Sequence, residues 1–256
     1  MADIMVLPKE ISELIAAGEV VERPASVIKE LVENSIDAGA TAITVEIERG
    51  GITYMRVTDN GIGIKKDQIK TAFLRHATSK IKAATDLDAI LTLGFRGEAL
   101  ASICAVSRVE VLSAVSGENG VCYEIEGGEE VSFEEIGCPV GTTIVVRDLF
   151  YNVPARMKFL KKDVTEGNSV ASIMERIALS HPEIAIKLIR DGKTVLNTTG
   201  DGKLKSAVYS VLGRDFNSSL IPVEYAEDNL QLTGFVCLPS RCRPNRNGQF
   251  EFYCRN

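Results

Sequence analysis

The apolar positions of this chain recur with two periods. Spacings of three and four predict helices near 9–19, 25–36, 67–75, 97–107, 163–180 and 202–212. Alternation at every second residue predicts strands near 42–48, 52–58, 108–113, 121–126, 131–136, 142–147, 184–190, 194–197, 219–224, 229–237 and 248–253. Strands dominate the middle, with helices before and between them. That order predicts an α+β fold, a mixed β-sheet with helices layered on one face. The segment GDGKLKSAVYSVLG (200–213) punctuates the pattern and places a boundary near 200–215. The roughly forty residues after it are too few for a core of their own, and QFEFYCRN stops inside a strand pattern. The expected division is a first domain over 1–205 and the truncated beginning of a second over 206–256.

The chain has 256 residues, 45% hydrophobic and 25% charged, as a soluble globular protein has. No apolar run approaches the length of a membrane helix, and Lys9 and Glu10 interrupt the N-terminus before any secretory signal forms. The expectation is a cytoplasmic protein with no membrane contact. The net charge of −6 excludes general nucleic-acid binding by bulk charge. Six cysteines lack CxxC spacing and read as reduced thiols, and two distant histidines suggest no metal cluster.

Four segments carry candidate chemistry. In PASVIKELVENSIDAGA (24–40), Val27, Ile28, Leu31, Val32 and Ile36 cover one half of a helix. Glu30, Asn34 and Asp37 share the other half. Two readings fit: a solvated polar face, or a carboxylate that activates water beside a hydrated Mg²⁺ held by the Asn34 amide oxygen. In YMRVTDNGIGIKKDQI (54–69) a strand runs into Asp59, Asn60, Gly61, Ile62 and Gly63. Asn-Gly marks a tight turn, but the second glycine also allows close approach of a ligand. Asp59 can accept from an exocyclic amine such as that of adenine, and Asp67 can cap a following helix.

In LTLGFRGEALASICAVS (91–107) two glycines precede a helix burying Leu100, Ile103 and Val106. This is a plain loop-to-helix junction or a phosphate site at a helix N-terminus. It is neither a Walker A nor a dinucleotide loop. The polar stretch RHATSKIKAATDLDAI (75–90) makes 75–97 a candidate lid. In VGTTIVVRDLF (140–150), two threonines open a buried strand.

Taken in order, ExxxN on a helix, DxGxG, a glycine loop and GTT resemble the GHKL (Bergerat-fold) ATPase superfamily. IAAGEVVERPASVIKELVENSIDAGAT (15–41), RHATSKI (75–81) and GFRGEAL (94–100) are similar to its MutL mismatch-repair branch almost word for word. The resemblance covers the whole chain. It implies an Mg²⁺-dependent ATPase that acts as a switch in DNA mismatch repair, coupling mismatch recognition to excision. Glu30 would be the general base and Asn34 the Mg²⁺ ligand, with Asp37 on the same polar face. Asp59 would read adenine above Gly61 and Gly63. Thr78, Ser79 and Lys80 would belong to the lid. Gly94, Phe95, Arg96, Gly97, Glu98, Ala99 and Leu100 would hold phosphates, and Thr143 would lie on the strand below the base.

The resemblance also implies homodimerisation on ATP binding, with the lid and residues 1–20 at the interface. The implied partners are a mismatch-recognition protein, a downstream nuclease or helicase, and DNA bound weakly without sequence preference. Location would be nucleoid-associated in a bacterium and nuclear in a eukaryote. The tail RCRPNRNGQFEFYCRN (241–256) resembles the start of the family's ribosomal-protein-like second domain. Two departures stand out. FYCRN replaces the usual FVNGR, and the family's γ-phosphate lysine would fall beyond Asn256, which predicts impaired hydrolysis.

Candidate DNA contacts are Arg241, Arg243, Arg246 and Arg255, and a second stretch of Arg147, Arg156, Lys158, Lys161 and Lys162. Solvated faces are the alternative for both. Two rival functions remain: another GHKL ATPase of topoisomerase or chaperone type, opposed by GFRGEAL, and a non-catalytic nucleotide-binding scaffold, opposed by Glu30. No phosphoacceptor helix precedes the domain, as a histidine kinase would require.

Overall fold

A computed structural model of the chain describes residues 5, 6, 8, 17, 18, 20–78, 97–213, 220–227, 230–239 and 249–252. Of the helix expected over 9–19 only residues 17 and 18 are described, both helical, and most of the expected lid lies outside the described residues. Ten strands follow the two-residue alternation: β1 (Ala42–Glu48), β2 (Tyr54–Asp59), β3 (Arg108–Ala114), β4 (Gly120–Glu126), β5 (Glu129–Ile136), β6 (Gly141–Arg147), β7 (Ala185–Arg190), β8 (Lys193–Asn197), β9 (Leu220–Glu227) and β10 (Leu230–Cys237). The first eight form one sheet in the order β5-β4-β3-β6-β2-β1-β7-β8. All neighbours are antiparallel except β1 and β7, so the sheet is mixed, as the order of elements predicted. β9 and β10 pair separately as a hairpin.

Six helices are described: α1 (Pro24–Asp37), α2 (Ile69–Ala72), α3 (Ala99–Ala105), α4 (Pro154–Met157), α5 (Asp163–Ser180) and α6 (Leu204–Leu212). α1 and α5 pack against each other, α1 also meets β2, and α5 also meets β7. Ile28, Leu31, Ile43, Met55, Ile103, Met174, Ile186 and Leu188 are fully enclosed in this layer. The opposite face carries charge. Arg56 pairs with Glu46 across β2 and β1 at 2.6 Å, and Arg147 lies 3.8 Å from Glu110 across β6 and β3. These half-exposed pairs contribute little stability. They mark which face stays wet.

Several expectations shift. The helix predicted over 67–75 is only the single turn α2, and Gln68 rather than Asp67 sits at its cap position. The four residues show too little apolar periodicity to extend it. Residues 249–252 form no strand. Phe250 instead joins Leu220 and Phe235 against a small second cluster of Leu179, Ala207 and Val208. The apolar side chain was read as strand alternation when it is a packing contact. α4 was missed because four residues hold barely one helical period.

Ile186 is fully buried on β7, one strand in from the sheet edge. Ile186→Ala is expected to cost about 2–5 kcal/mol in urea unfolding. Val131→Ala, on edge strand β5 at 60% exposure, is expected to stay within about 0.5 kcal/mol of the native chain.

Candidate nucleotide site

α1 starts at Pro24, which fits a first turn without needing an amide hydrogen. It ends at Ala38, followed by left-handed Gly39. Its buried stripe includes Val27, Ile28, Leu31, Val32 and, one turn further, Ser35. Glu30 and Asn34 are half-buried beside this stripe, and Asp37 is exposed at the helix end. Lys29 approaches Glu33 at 2.9 Å and Glu30 at 3.5 Å. Burial disfavours the Lys29 charge, but Glu33 and Glu30 outweigh it and raise its pKa. Burial raises the Glu33 pKa against the pull of Lys29.

Asp59 ends β2 directly beneath this helix. Its Oδ1 accepts from the Gly61 amide at 2.8 Å and the Thr142 amide at 3.2 Å. Its Oδ2 accepts from Ser35 Oγ at 2.8 Å. The Ser35 hydrogen could also reach Leu31 O at 3.2 Å, but a carboxylate is the stronger acceptor. An ionised carboxylate offers about four acceptor positions. Three are filled, and one on Oδ2 remains for a ligand donor.

The loop after Asp59 is fixed at several points. Asn60 Oδ1 accepts from the Thr41 and Ala42 amides at 2.9 Å each, and the Ile62 amide donates to Ala38 O at 3.1 Å. The loop is thus tied to the end of α1 and the start of β1. A Cβ on Gly61 would lie 2.8 Å from Ala38 O. Gly63 has φ of 75°, and a Cβ there would collide with the Ala114 carbonyl oxygen. Both glycines are therefore required by close approach to the protein's own backbone, a different reason from the ligand approach read from the DxGxG pattern. Further along, the Ile64 amide donates to Ser113 Oγ at 2.8 Å.

Thr143 does not join this cluster. On β6 it pairs with Thr58, and the two hydroxyls meet at 3.1 Å. Neighbouring strand residues point to opposite faces, so Thr143 lies on the sheet face away from Asp59. Thr142, its neighbour, takes the place expected of it. The first threonine of GTT shares the face of Asp59 and contacts it through its amide.

The described ends of the expected lid meet each other. The His76 amide donates to Gly97 O at 2.9 Å, and a Cβ on Gly97 would lie 2.6 Å from Ala77 O. His76 Nδ1 also lies 3.5 Å from Glu98 Oε1. Thr78 is exposed. Ser79, Lys80, Gly94, Phe95 and Arg96 lie outside the described residues. α3 begins at Ala99 with Glu98 at its cap position, and Leu100 is half-buried rather than enclosed. A cavity of about 50 Å³ between Val20, Arg75, Glu98 and Ser102 joins the N-terminal segment to this junction. A broader depression of about 580 Å³, lined by Lys65, Lys66, Lys70 and Phe133 among others, contains none of the predicted site residues.

α1 carries Glu30 and Asn34 on the same helix whose Ser35 holds Asp59, and Asp59, Gly61 and Gly63 share the loop that follows β2. Among the described residues no cluster of three or more His, Cys, Asp or Glu could hold a metal alone. Mg²⁺ takes one or two protein oxygens and completes its shell with water and phosphate. The Asn34 amide oxygen is a donor of that kind. Ser35, Thr142 and Ser113 were not identified from sequence. Ser35 had a visible signal, a hydroxyl in an otherwise apolar helical stripe.

The fold and site define an ATPase-type nucleotide domain. Residues 22–131 match the family model described as histidine kinase-, DNA gyrase B-, and HSP90-like ATPase. The chain is 54% identical over 253 residues to the DNA mismatch repair protein MutL of Agathobacter rectalis, covering 98% of this chain and 39% of that protein. It is 49% identical to MutL of Shouchella clausii, covering 100% of this chain and 40% of that one. The solved Aquifex aeolicus MutL ATPase domain complexed with ADP superposes with a TM-score of 0.66 at 34% identity, covering 80% of this chain and 73% of that one. The N-terminal domain of a DNA repair protein superposes at 0.77 with 25% identity, covering 92% and 74%. The chain belongs to the MutL family. It spans about two fifths of the length of the curated relatives it matches.

Gly39 and Gly63 provide a paired test, since both have positive φ but only Gly63 faces a backbone collision. Gly39→Ala is expected to cost about 1–2 kcal/mol from the left-handed conformation alone. Gly63→Ala should cost clearly more in the same thermal unfolding measurement.

Proposed function

We propose that this chain binds ATP with Mg²⁺ and hydrolyses it as the switch domain of a DNA mismatch-repair protein. The observation that carries this reading is Asp59. It is a carboxylate with three acceptor positions filled from α1, the glycine loop and β6, leaving one for an exocyclic amine. A solved relative, the Aquifex aeolicus MutL ATPase domain, is complexed with ADP. The phosphates would run from this floor past Asn34 toward the start of α3, where Gly97, Glu98, Ala99 and Leu100 lie. Bound Mg²⁺ would supply charge neutralisation to the phosphates through Asn34. Glu30, one helical turn from Asn34, would take the proton of the attacking water. We assign residues 1–205 to this domain and 206–256 to the beginning of a second.

Binding would couple to dimerisation, and the dimer would engage a mismatch-recognition protein and a nuclease or helicase. The small cavity that Val20 lines together with the α3 junction supports that coupling, because nucleotide and interface would meet there. DNA would be held weakly by exposed Lys158, Lys161 and Lys162, beside Phe159 at 81% exposure. Such contact is independent of sequence and weakens steeply with salt. The protein would act in the cytosol, at the nucleoid. No described helix is long and apolar enough to cross a membrane.

Equilibrium binding of Mg²⁺ with a non-hydrolysable ATP analogue tests the site. Asp59→Asn is expected to weaken it by more than about tenfold, since a donor amide would face the base amine. Unchanged affinity would contradict the proposal. Glu30→Gln should leave that affinity near native and lower phosphate release by about 10²-fold or more.

A further inference from the structure

We infer that Ser113 is a positioning residue that makes the Thr142 hydroxyl an acceptor only, so that the floor of the site presents no donor side chain to the base. This rests on the nucleotide reading above. Ser113 is 1% exposed on β3 and touches none of the residues named there for ATP except through Thr142. Its hydroxyl has three partners. The Ile64 amide donates to it at 2.8 Å, the Gly141 carbonyl lies at 3.0 Å, and Thr142 Oγ1 lies at 2.9 Å.

Counting hydrogens fixes the direction of each bond. A hydroxyl has one hydrogen and two lone pairs. The Ile64 amide can only donate, so it fills one lone pair. The Gly141 carbonyl can only accept, so it takes the Ser113 hydrogen. The third contact must then run from Thr142 to the remaining lone pair. Thr142 has spent its hydrogen on Ser113 and keeps only lone pairs. Its amide meanwhile holds Asp59 Oδ1 at 3.2 Å.

Side-chain acceptors on Asp59 and Thr142 favour an amine and repel a carbonyl oxygen. Adenine and hypoxanthine differ in that group, an amine in one and a carbonyl in the other. Removing the Ser113 hydroxyl would free the Thr142 hydrogen to donate to such a carbonyl. The residue therefore sets purine discrimination without touching the ligand.

The test is equilibrium binding of non-hydrolysable ATP and ITP analogues with Mg²⁺, read as the ratio of the two Kd values. The native chain is expected to favour ATP by about tenfold or more, the scale of one hydrogen bond. Ser113→Ala should narrow that ratio by up to about tenfold. Ser113→Thr should preserve it. Adding Thr142→Val to Ser113→Ala should remove the gain in ITP binding. Should Ser113→Ala fail to fold, Ser113→Cys fills the site with a weak acceptor and should narrow the ratio likewise. An equal loss of both nucleotides, with the ratio unchanged, overturns the proposal and leaves Ser113 a structural residue. Binding of neither nucleotide by the native chain overturns the nucleotide reading and this inference with it.

Discussion

The site depends on satisfying one half-buried carboxylate. A charge held off water is costly unless donors surround it. Asp59 meets that demand with a hydroxyl from α1, an amide from the glycine loop and an amide from β6. These donors come from three separate parts of the chain. Holding them around one group fixes the helix, the loop and the strand relative to each other. The same saturation leaves a single acceptor facing outward. In the proposed site, stability and recognition would rest on the same set of bonds.

The glycines follow from this constraint. The loop must leave Asp59 and turn at once so that Gly61 can donate back. It then passes against the Ala38 and Ala114 carbonyls with no room for a side chain. Ser113 anchors its far end and Asn60 its near end. The result is a floor whose backbone is preorganised before any ligand arrives, which lowers the ordering cost of binding.

Much of this was legible in the sequence. Alternation gave β1 at its observed limits because it buries every second residue, and α5 matched over its full length, burying Val170, Met174 and Ala178 at helical spacing. Gly61 and Gly63 stood out because a second glycine two residues on departs from what a plain turn requires, whereas Glu30 and Asn34 fit an ordinary polar helix face and were singled out by the family resemblance. Three things were not. Thr143 was chosen over Thr142 because the two adjacent threonines look alike until the strand pairing shows which face each takes. Ser113 was hidden because a serine in a strand is unremarkable without its partners. The short α2 was overextended because Phe73, just after it, packs into the core without continuing the helix.

The account's central claim is that Asp59 offers its one free acceptor to an exocyclic amine. The most direct measurement is a double comparison by titration calorimetry. A non-hydrolysable ATP analogue and its counterpart lacking only the base amine would be bound to the native chain and to Asp59→Asn. The account predicts that losing the amine weakens native binding by about tenfold but does not weaken the variant's, where a donor amide already opposes the amine, a coupling at least the size expected for one direct contact. If the amine matters equally in both proteins, or in neither, Asp59 does not read the base.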